Sequence, residues 1–300
     1  MDERAALALL EGELGPAGDD AAVVDGQVLT TDMLHDRTDF PDGTTRYTAG
    51  WRAVGASLSD VAAMGAEATA AVAVYAAPAF VETELLDFVR GARDVCELVG
   101  ARYVGGDLDG HQEFTVATTA LGRVSDAEPP GSGSVDPVRR SGARPGDRVC
   151  VTGTLGRSAA ALELFDRDEH DRANDLFRFE PRVETGLGLA PHATAMMDSS
   201  DGLARSLHQL AEASACGFAI TSEEIPVDES LATVVTDESR ALRTALTFGE
   251  DFELVFTIPA EAVEPVREST PVPVSVLGRV VEDGITLDGE PLADEGFAHG

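Results

Sequence analysis

Five short stretches of this chain set carboxylates beside small residues, at the ends of apolar runs. They are Asp19 and Asp20 in AGDDAAVV, Asp32 in VLTTDML, Asp60 in GASLSDVAAMGA, Asp107 in YVGGDLDG, and Asp198 with Asp201 in AMMDSSDGLA. Carboxylates gathered in one place repel one another unless cations join them. Their oxygens are hard donors, and no His or Cys cluster accompanies them, so the ion they suit is Mg2+ and not zinc. The chemistry such ions serve is the handling of phosphate. Asp32 and Asp107 lie where apolar strands end, which is where sheet-based sites are built. Asp60 falls in the last turn of a helical pattern, where the dipole disfavours a carboxylate by about 0.3–1 kcal/mol. A cation beside it reverses that cost.

Each of these residues also has a plainer reading. Asp19 and Asp20 suit a turn. Ser199, Ser200 and Asp201 suit the cap of a following helix. Asp60 lies opposite its helix's apolar stripe, where solvent suffices. Most other carboxylates, as in DRDEHDRANDL, read as solvated surface.

The composition bounds the class of protein. The chain has 300 residues with 54 acidic and 22 basic side chains, for a net charge of −32. Every basic residue is Arg. Such charge repels nucleic acid and anionic membranes. A hydrophobic content of 43% is enough for a packed core. Dispersed acid with Arg and no Lys points to a cytoplasmic protein adapted to high salt, where ions screen the self-repulsion. No run of about 18 apolar residues is present to span a membrane. The start, MDERAALALLEGELG, reads as a short acidic helix and not as a signal peptide. Cys96, Cys150 and Cys216 are far apart and read as free thiols in a reducing compartment.

The elements that must carry the carboxylates follow from periodicity. VVDGQVLTTDML, ATAAVAVYA, ARYVGGD and EFTVATTALGRV read as strands. Between them, YTAGWRAVGASLSDVAAMG and ETELLDFVRGARDVCELVG read as helices. Residues 125–147 are rich in Pro, Gly and Ser and mark a boundary. Beyond it, DRVCVTGTLGRSAAALELF is strand, glycine loop and helix, and GEDFELVFTI, VPVSVLGRVV and ITLDG close the chain as strands. The expected fold is α/β (α+β) with two lobes, residues 1–137 and 138–300, each with a mostly four-stranded sheet and flanking helices.

VTGTLGRS resembles a phosphate-binding loop only in its glycines. A P-loop needs Lys after its second Gly, and a protein kinase needs Lys on a strand. Both are excluded in a chain without Lys. Arg139 and Arg140 are then the better direct partners for phosphate, because a guanidinium fork matches its oxygens.

Taken in order, GDDAAVV, TTDML, SLSDVAAMGA, GGDLDG, RRSGARPGDRVCVTGTLGRSAAAL, MDSSDGLARSL and GEDFELVFT closely resemble the thiamine-monophosphate kinases, within the aminoimidazole-ribonucleotide-synthetase-like superfamily. The resemblance covers nearly the whole chain. It implies two α/β lobes, an N-terminal lobe that pairs in a homodimer, and ATP as co-substrate. The implied reaction moves the γ-phosphoryl of ATP onto thiamine monophosphate to give thiamine diphosphate. By resemblance, Asp20, Thr30, Thr31, Asp32, Asp60, Asp107, Asp198 and Asp201 hold several Mg2+ ions, with Asp32, Asp107 and Asp198 central to catalysis. Gly106, Asp107, Arg140 and Ser200 meet ATP, while Glu250 and Phe297 meet the thiamine part. One departure stands out: where the family has a substrate-contacting His before a Phe, this chain has Asp39 before Phe40. Two rivals remain at this stage. One is a sibling enzyme that splits ATP with another acceptor, such as an aminoimidazole ribonucleotide synthetase; the other is a non-catalytic nucleotide-binding regulator. GEDFEL argues against the first, and the intact Asp at every motif against the second.

Overall fold

The computed structural model describes residues 10, 13–14, 18–124 and 136–296. In the N-terminal half, β1 (Ala22–Val24), β2 (Gln27–His35), β3 (Glu67–Ala77), β4 (Arg102–Gly110) and β5 (Thr115–Arg123) form one sheet in the order β1-β2-β5-β3-β4. The run read as a single strand, VVDGQVLTTDML, is in fact a hairpin. Asp25 and Gly26 both take positive φ (52° and 76°), the backbone a two-residue primed turn requires. β3 and β4 are parallel and are joined through helix α2 (Glu82–Leu98), while the other neighbours are antiparallel.

Helix α1 (Arg46–Ala63) is the spine of the molecule. Buried residues run all round it, including Ala49, Arg52, Val54, Ser57, Leu58 and Val61. A helix buried on every side needs neighbours on every side. It packs on α2, on β2, β3 and β5, and on α5 (Val183–Leu189) and β7 (Ala195–Asp198) of the C-terminal half.

In the C-terminal half, β6 (Arg148–Thr152) is followed by α3 (Arg157–Phe165), α4 (His170–Phe177), α5 and β7. Then come α6 (Leu203–Ser214), β8 (Gly217–Ile220), α7 (Glu229–Val234), α8 (Glu238–Thr247) and β9 (Leu254–Ile258). Helix α9 (Val263–Ser269), β10 (Val274–Val281), β11 (Ile285–Leu287) and β12 (Glu290–Pro291) close the chain. The sheet order is β12-β11-β8-β10-β6-β9-β7. Both sheets are therefore broader than the expected four strands, with five and seven. The excess lies mostly in short strands of two to four residues, too brief to carry a readable period.

Alternation along the central strands explains why they read as unbroken apolar runs. Val149, Val151, Val255 and Met197 face the α3, α6 and α8 side, whereas Cys150, Leu254, Phe256 and Met196 join the core built around α1. One hydrophobic core thus runs from the first sheet through α1 to the second. Cys96, Cys150 and Cys216 are free thiols, the first two buried. No helix among the described residues is long and apolar enough to cross a membrane.

Candidate active site

Four elements and one turn converge between the two halves. Strand alternation turns Thr30 and Asp32 of β2 toward α1, with Val28 and Leu34 on the same face. On α1, Ala53, Ser57 and Asp60 fall one and two turns apart on the facing side. Thr118 of β5 ties them together: its hydroxyl lies 2.8 Å from Ser57 Oγ and donates to the Ala53 carbonyl at 3.1 Å. Ser57 donates to Asp32 Oδ2 at 2.5 Å, and Thr30 donates to Asp60 Oδ2 at 2.5 Å. The plainer reading, that Asp60 looks to solvent, therefore fails. Because α1 is buried all round, its polar side meets the sheet and not water.

The turn before β1 supplies Asp20, and β7 ends at Asp198. Carboxylate oxygens of Asp20, Asp60 and Asp198 all lie within 4.8 Å of one another. Both Asp20 and Asp198 have buried side chains, each 1% exposed. Among the described residues the cation beside them is Arg140, whose Nε and Nη2 donate to Asp20 at 3.3 and 3.0 Å. Its neighbour Arg139 donates to Asp19 at 2.7 Å, and the Arg140 amide donates to the same carboxylate at 2.9 Å. One guanidinium against four neighbouring carboxylates leaves a deficit of positive charge.

That deficit appears in the acidities. Burial, followed by the charge of Asp20, pushes Asp198 up to about 8. Burial and then the charges of Asp32, Asp198 and Asp20 hold Asp60 well above the usual carboxylate range. Burial also raises Asp32, against the Ser57 hydrogen bond. The surrounding carboxylates push Arg140 upward, enough to overcome its burial. Moreover, the buried atoms Asp198 Oδ2 and Ser199 Oγ have no hydrogen-bond partner. An orphaned carboxylate oxygen aimed at two other carboxylates is costly unless a cation completes it. An all-oxygen donor set of this kind fits a hard divalent ion.

Not every candidate residue joins this cluster. Thr31 lies on the opposite face of β2, where its hydroxyl donates to the Thr118 carbonyl at 2.8 Å. Asp107 is exposed on the edge strand β4, in register with the outward-facing Val74, and accepts from the Leu108 amide at 2.9 Å. Gly106 is needed for pairing, since a Cβ there lies 1.7 Å from the Ala73 carbonyl. Ser200 and Asp201 follow β7 in the loop before α6. Their plainer reading as helix caps fails, because α6 starts after Gly202 with no side-chain cap.

A cavity of about 150 Å³ opens nearby, lined by Asp39, Phe40, Leu162, Phe177, Phe248 and Glu250 among others. Asp39 Oδ2 accepts from the His35 amide at 2.7 Å and from Thr38 at 2.8 Å. The Glu250 carboxylate pairs with Arg52, a buried cation on the side of α1 away from its apolar stripe, where an Arg reads as solvated. Phe297 lies outside the described residues.

The glycine loop Gly153–Gly156 binds no external anion through its amides. Asp251 occupies the N-terminus of α3, accepting from the Gly156 and Ser158 amides at 2.5 and 2.9 Å. Nothing local in the sequence ties residue 251 to residue 156. The only available signal was the lack of any other charge for that helix end.

Relatives share this architecture. Residues 18–124 match the family AIR synthase related protein, N-terminal domain, and residues 144–289 match AIR synthase related protein, C-terminal domain. Over 301 residues the chain is 62% identical to the thiamine-monophosphate kinase of Halobacterium salinarum (strain ATCC 700922 / JCM 11081 / NRC-1), with all of both chains covered. It is 40% identical to the thiamine-monophosphate kinase of Methanospirillum hungatei JF-1, covering 100% of this chain and 99% of that one. The solved structure of AaThiL complexed with AMPPCP and TMP superposes with a TM-score of 0.88 at 28% identity, covering 100% of this chain and 97% of that chain. A structure of the hydrogenase maturation protein HypE in complex with ATP, at 19% identity and a TM-score of 0.69, shares the fold. On sequence identity over its full length and on architecture together, the chain belongs to the thiamine-monophosphate kinase family.

Proposed function

We propose that this protein transfers the γ-phosphoryl group of ATP to thiamine monophosphate, giving thiamine diphosphate and ADP. Family membership supports the reaction, as does AaThiL, which is complexed with AMPPCP and TMP. The observation that carries the chemistry is the buried cluster of Asp20, Asp60 and Asp198, with its orphaned oxygen. In this reading Asp20, Thr30, Asp32, Asp60 and Asp198 hold Mg2+ ions, joined by Asp201 from the loop after β7. Thr31 and Asp107 contribute from the outward side of the first sheet. When bound, Mg2+ supplies the positive charge that lets two phosphate-bearing anions approach in line.

The chain's own residues do the rest. The attacking group is a phosphate oxygen of thiamine monophosphate, whose second pKa is about 6. It is already mostly deprotonated at neutral pH, so no general base is required. That agrees with a sequence whose six His are scattered. Arg140, held by Asp20, faces the phosphates, and Ser200 and Gly106 lie against the nucleotide. The organic half of the substrate is a cation. Asp39 and Glu250 put carboxylates on the cavity that would take it, and Phe297 is assigned to stack on it.

We further propose two functional domains, residues 1–137 and 138–300, in a homodimer that works in the cytoplasm at high salt. The dimer is supported by the outward face of the first sheet, where Leu29, Met33, Val72, Val74 and Val104 are 37–59% exposed. An apolar patch of that kind marks a protein interface. The net charge of −32 supports the salt adaptation.

The test is formation of thiamine diphosphate and ADP from ATP and thiamine monophosphate, with Mg2+ and with a chelator. Turnover that needs Mg2+ is expected. ADP release with another acceptor but none with thiamine monophosphate overturns the assignment.

A further inference from the structure

Arg52 is 2% exposed. It projects from α1 into the second lobe. There its guanidinium donates to the Glu250 carboxylate and to the Phe177 carbonyl. Longer contacts of 3.4 Å reach the Glu250 carbonyl and Ser158 Oγ. The guanidinium also stacks over the Phe177 ring, 3.6 Å from its centre. A buried, always-charged fork is tolerated only where every part of it is matched.

The loop that it grips is held in an unusual shape. Glu250 and Phe252 take φ of +72° and +53°, values that non-glycine residues adopt only when their surroundings impose them. The backbone of this loop is pinned from several directions. Asp251 caps α3, Ser158 donates to the Glu250 carbonyl at 2.6 Å, and the Glu250 amide donates to the Ser200 carbonyl at 2.7 Å. Gly249 passes so close that a Cβ would lie 1.9 Å from the Ser200 carbonyl. The backbone of residue 250 is thereby fixed, but the direction of its side chain is not. The cation that sets that direction is Arg52, which does not itself line the cavity.

We infer that Arg52 is the positioning residue for Glu250. It holds the carboxylate toward the cavity, and so governs affinity for thiamine monophosphate and not the rate of phosphoryl transfer or the binding of ATP. The inference rests on the reading of Glu250 as a substrate contact.

The experiment is steady-state kinetics of Arg52→Gln, Arg52→Lys, Glu250→Gln and the Arg52→Gln/Glu250→Gln double variant, with both substrates varied. Arg52→Gln is expected to raise KM for thiamine monophosphate about tenfold, the scale of one lost charge-assisted hydrogen bond. KM for ATP should stay within about twofold. Arg52→Lys, which keeps the charge but not the fork, should fall between. In the Glu250→Gln background, Arg52→Gln should add little. Equal losses in both backgrounds, or a lower kcat with both KM values unchanged, mean that Arg52 only holds the fold, and the inference is overturned. If Arg52→Gln is insoluble, Arg52→Lys and Glu250→Gln decide, because unchanged KM for thiamine monophosphate in those two folded variants also overturns it. Wild-type protein that makes no thiamine diphosphate would instead strike at the proposed function.

Discussion

Two buried groups of charge, Glu253 and Asp198, come side by side where Asp198 of β7 pairs with Leu254 of β9, yet they are built in opposite ways. Glu253 is 4% exposed, and both of its oxygens are satisfied: Arg182 donates to them at 2.6 and 2.9 Å and Thr152 at 2.5 Å. Asp198 is 1% exposed, points at two more carboxylates, and keeps one oxygen without a partner. The first arrangement is closed, with one guanidinium fork and one hydroxyl meeting a single carboxylate. The second is open, with its balance left to something not encoded in the chain. Closure marks a brace of the fold, and openness marks a place where chemistry happens.

The contrast can be broken by swapping what each group is allowed to lose. Asp198→Asn should cut kcat by about 10²–10³, or about 3–4 kcal/mol of lost electrostatic help, with the fold intact by circular dichroism. Near-normal turnover in that variant would place the phosphoryl transfer elsewhere. Arg182→Met should show the reverse pattern, a loss of about 3–5 kcal/mol in stability as Glu253 is stranded. Its activity per folded molecule should change little, as chemical denaturation alongside active-site titration can show. A stable but inactive Arg182→Met would put the brace in the active site.

The smallest effect is the dependence on pH. The folded protein holds Asp198 at about 8, above its ordinary 3.8. A group raised on folding contributes stability that is full below its unfolded value and is lost as pH rises through the folded one. Metal-free wild type should therefore lose stability relative to metal-free Asp198→Asn between about pH 4 and pH 8. Added Mg2+ should stabilise the wild type more as pH rises across that window, read as a widening melting-temperature gain at constant salt. A gain that is flat with pH would show that the ion binds away from this cluster.

How far the sequence carried depends on the kind of information each residue needed. Asp20, Asp60 and Asp198 announced themselves through composition: a lone carboxylate among Ala, Gly and Ser is conspicuous without any structure. Periodicity placed α1 and β2, and alternation along β2 divides Thr30 and Asp32 from Thr31. What periodicity could not say is which neighbours a face would have. Solvent served as the plainer reading of Asp60 because the side opposite an apolar stripe usually faces it, but α1 is covered on that side too. Arg52 was invisible for the same reason, since an Arg off the apolar stripe gives no sign that a glutamate 198 residues away will meet it. Asp251 filling the end of α3 is likewise a pairing between distant segments. The short strands at the sheet margins went unread because two or three residues have no period.

The spine helix has one further consequence. Asp60 and Arg52 stand on the same cylinder, one turned to the carboxylate cluster and the other locked to Glu250, and the hydrophobic core continues through that cylinder into both halves. Such a molecule has no seam along which to bend. Reactants must reach it by the yielding of loops or of side chains, and a chain that has lost register anywhere along this axle has lost both binding pockets at once.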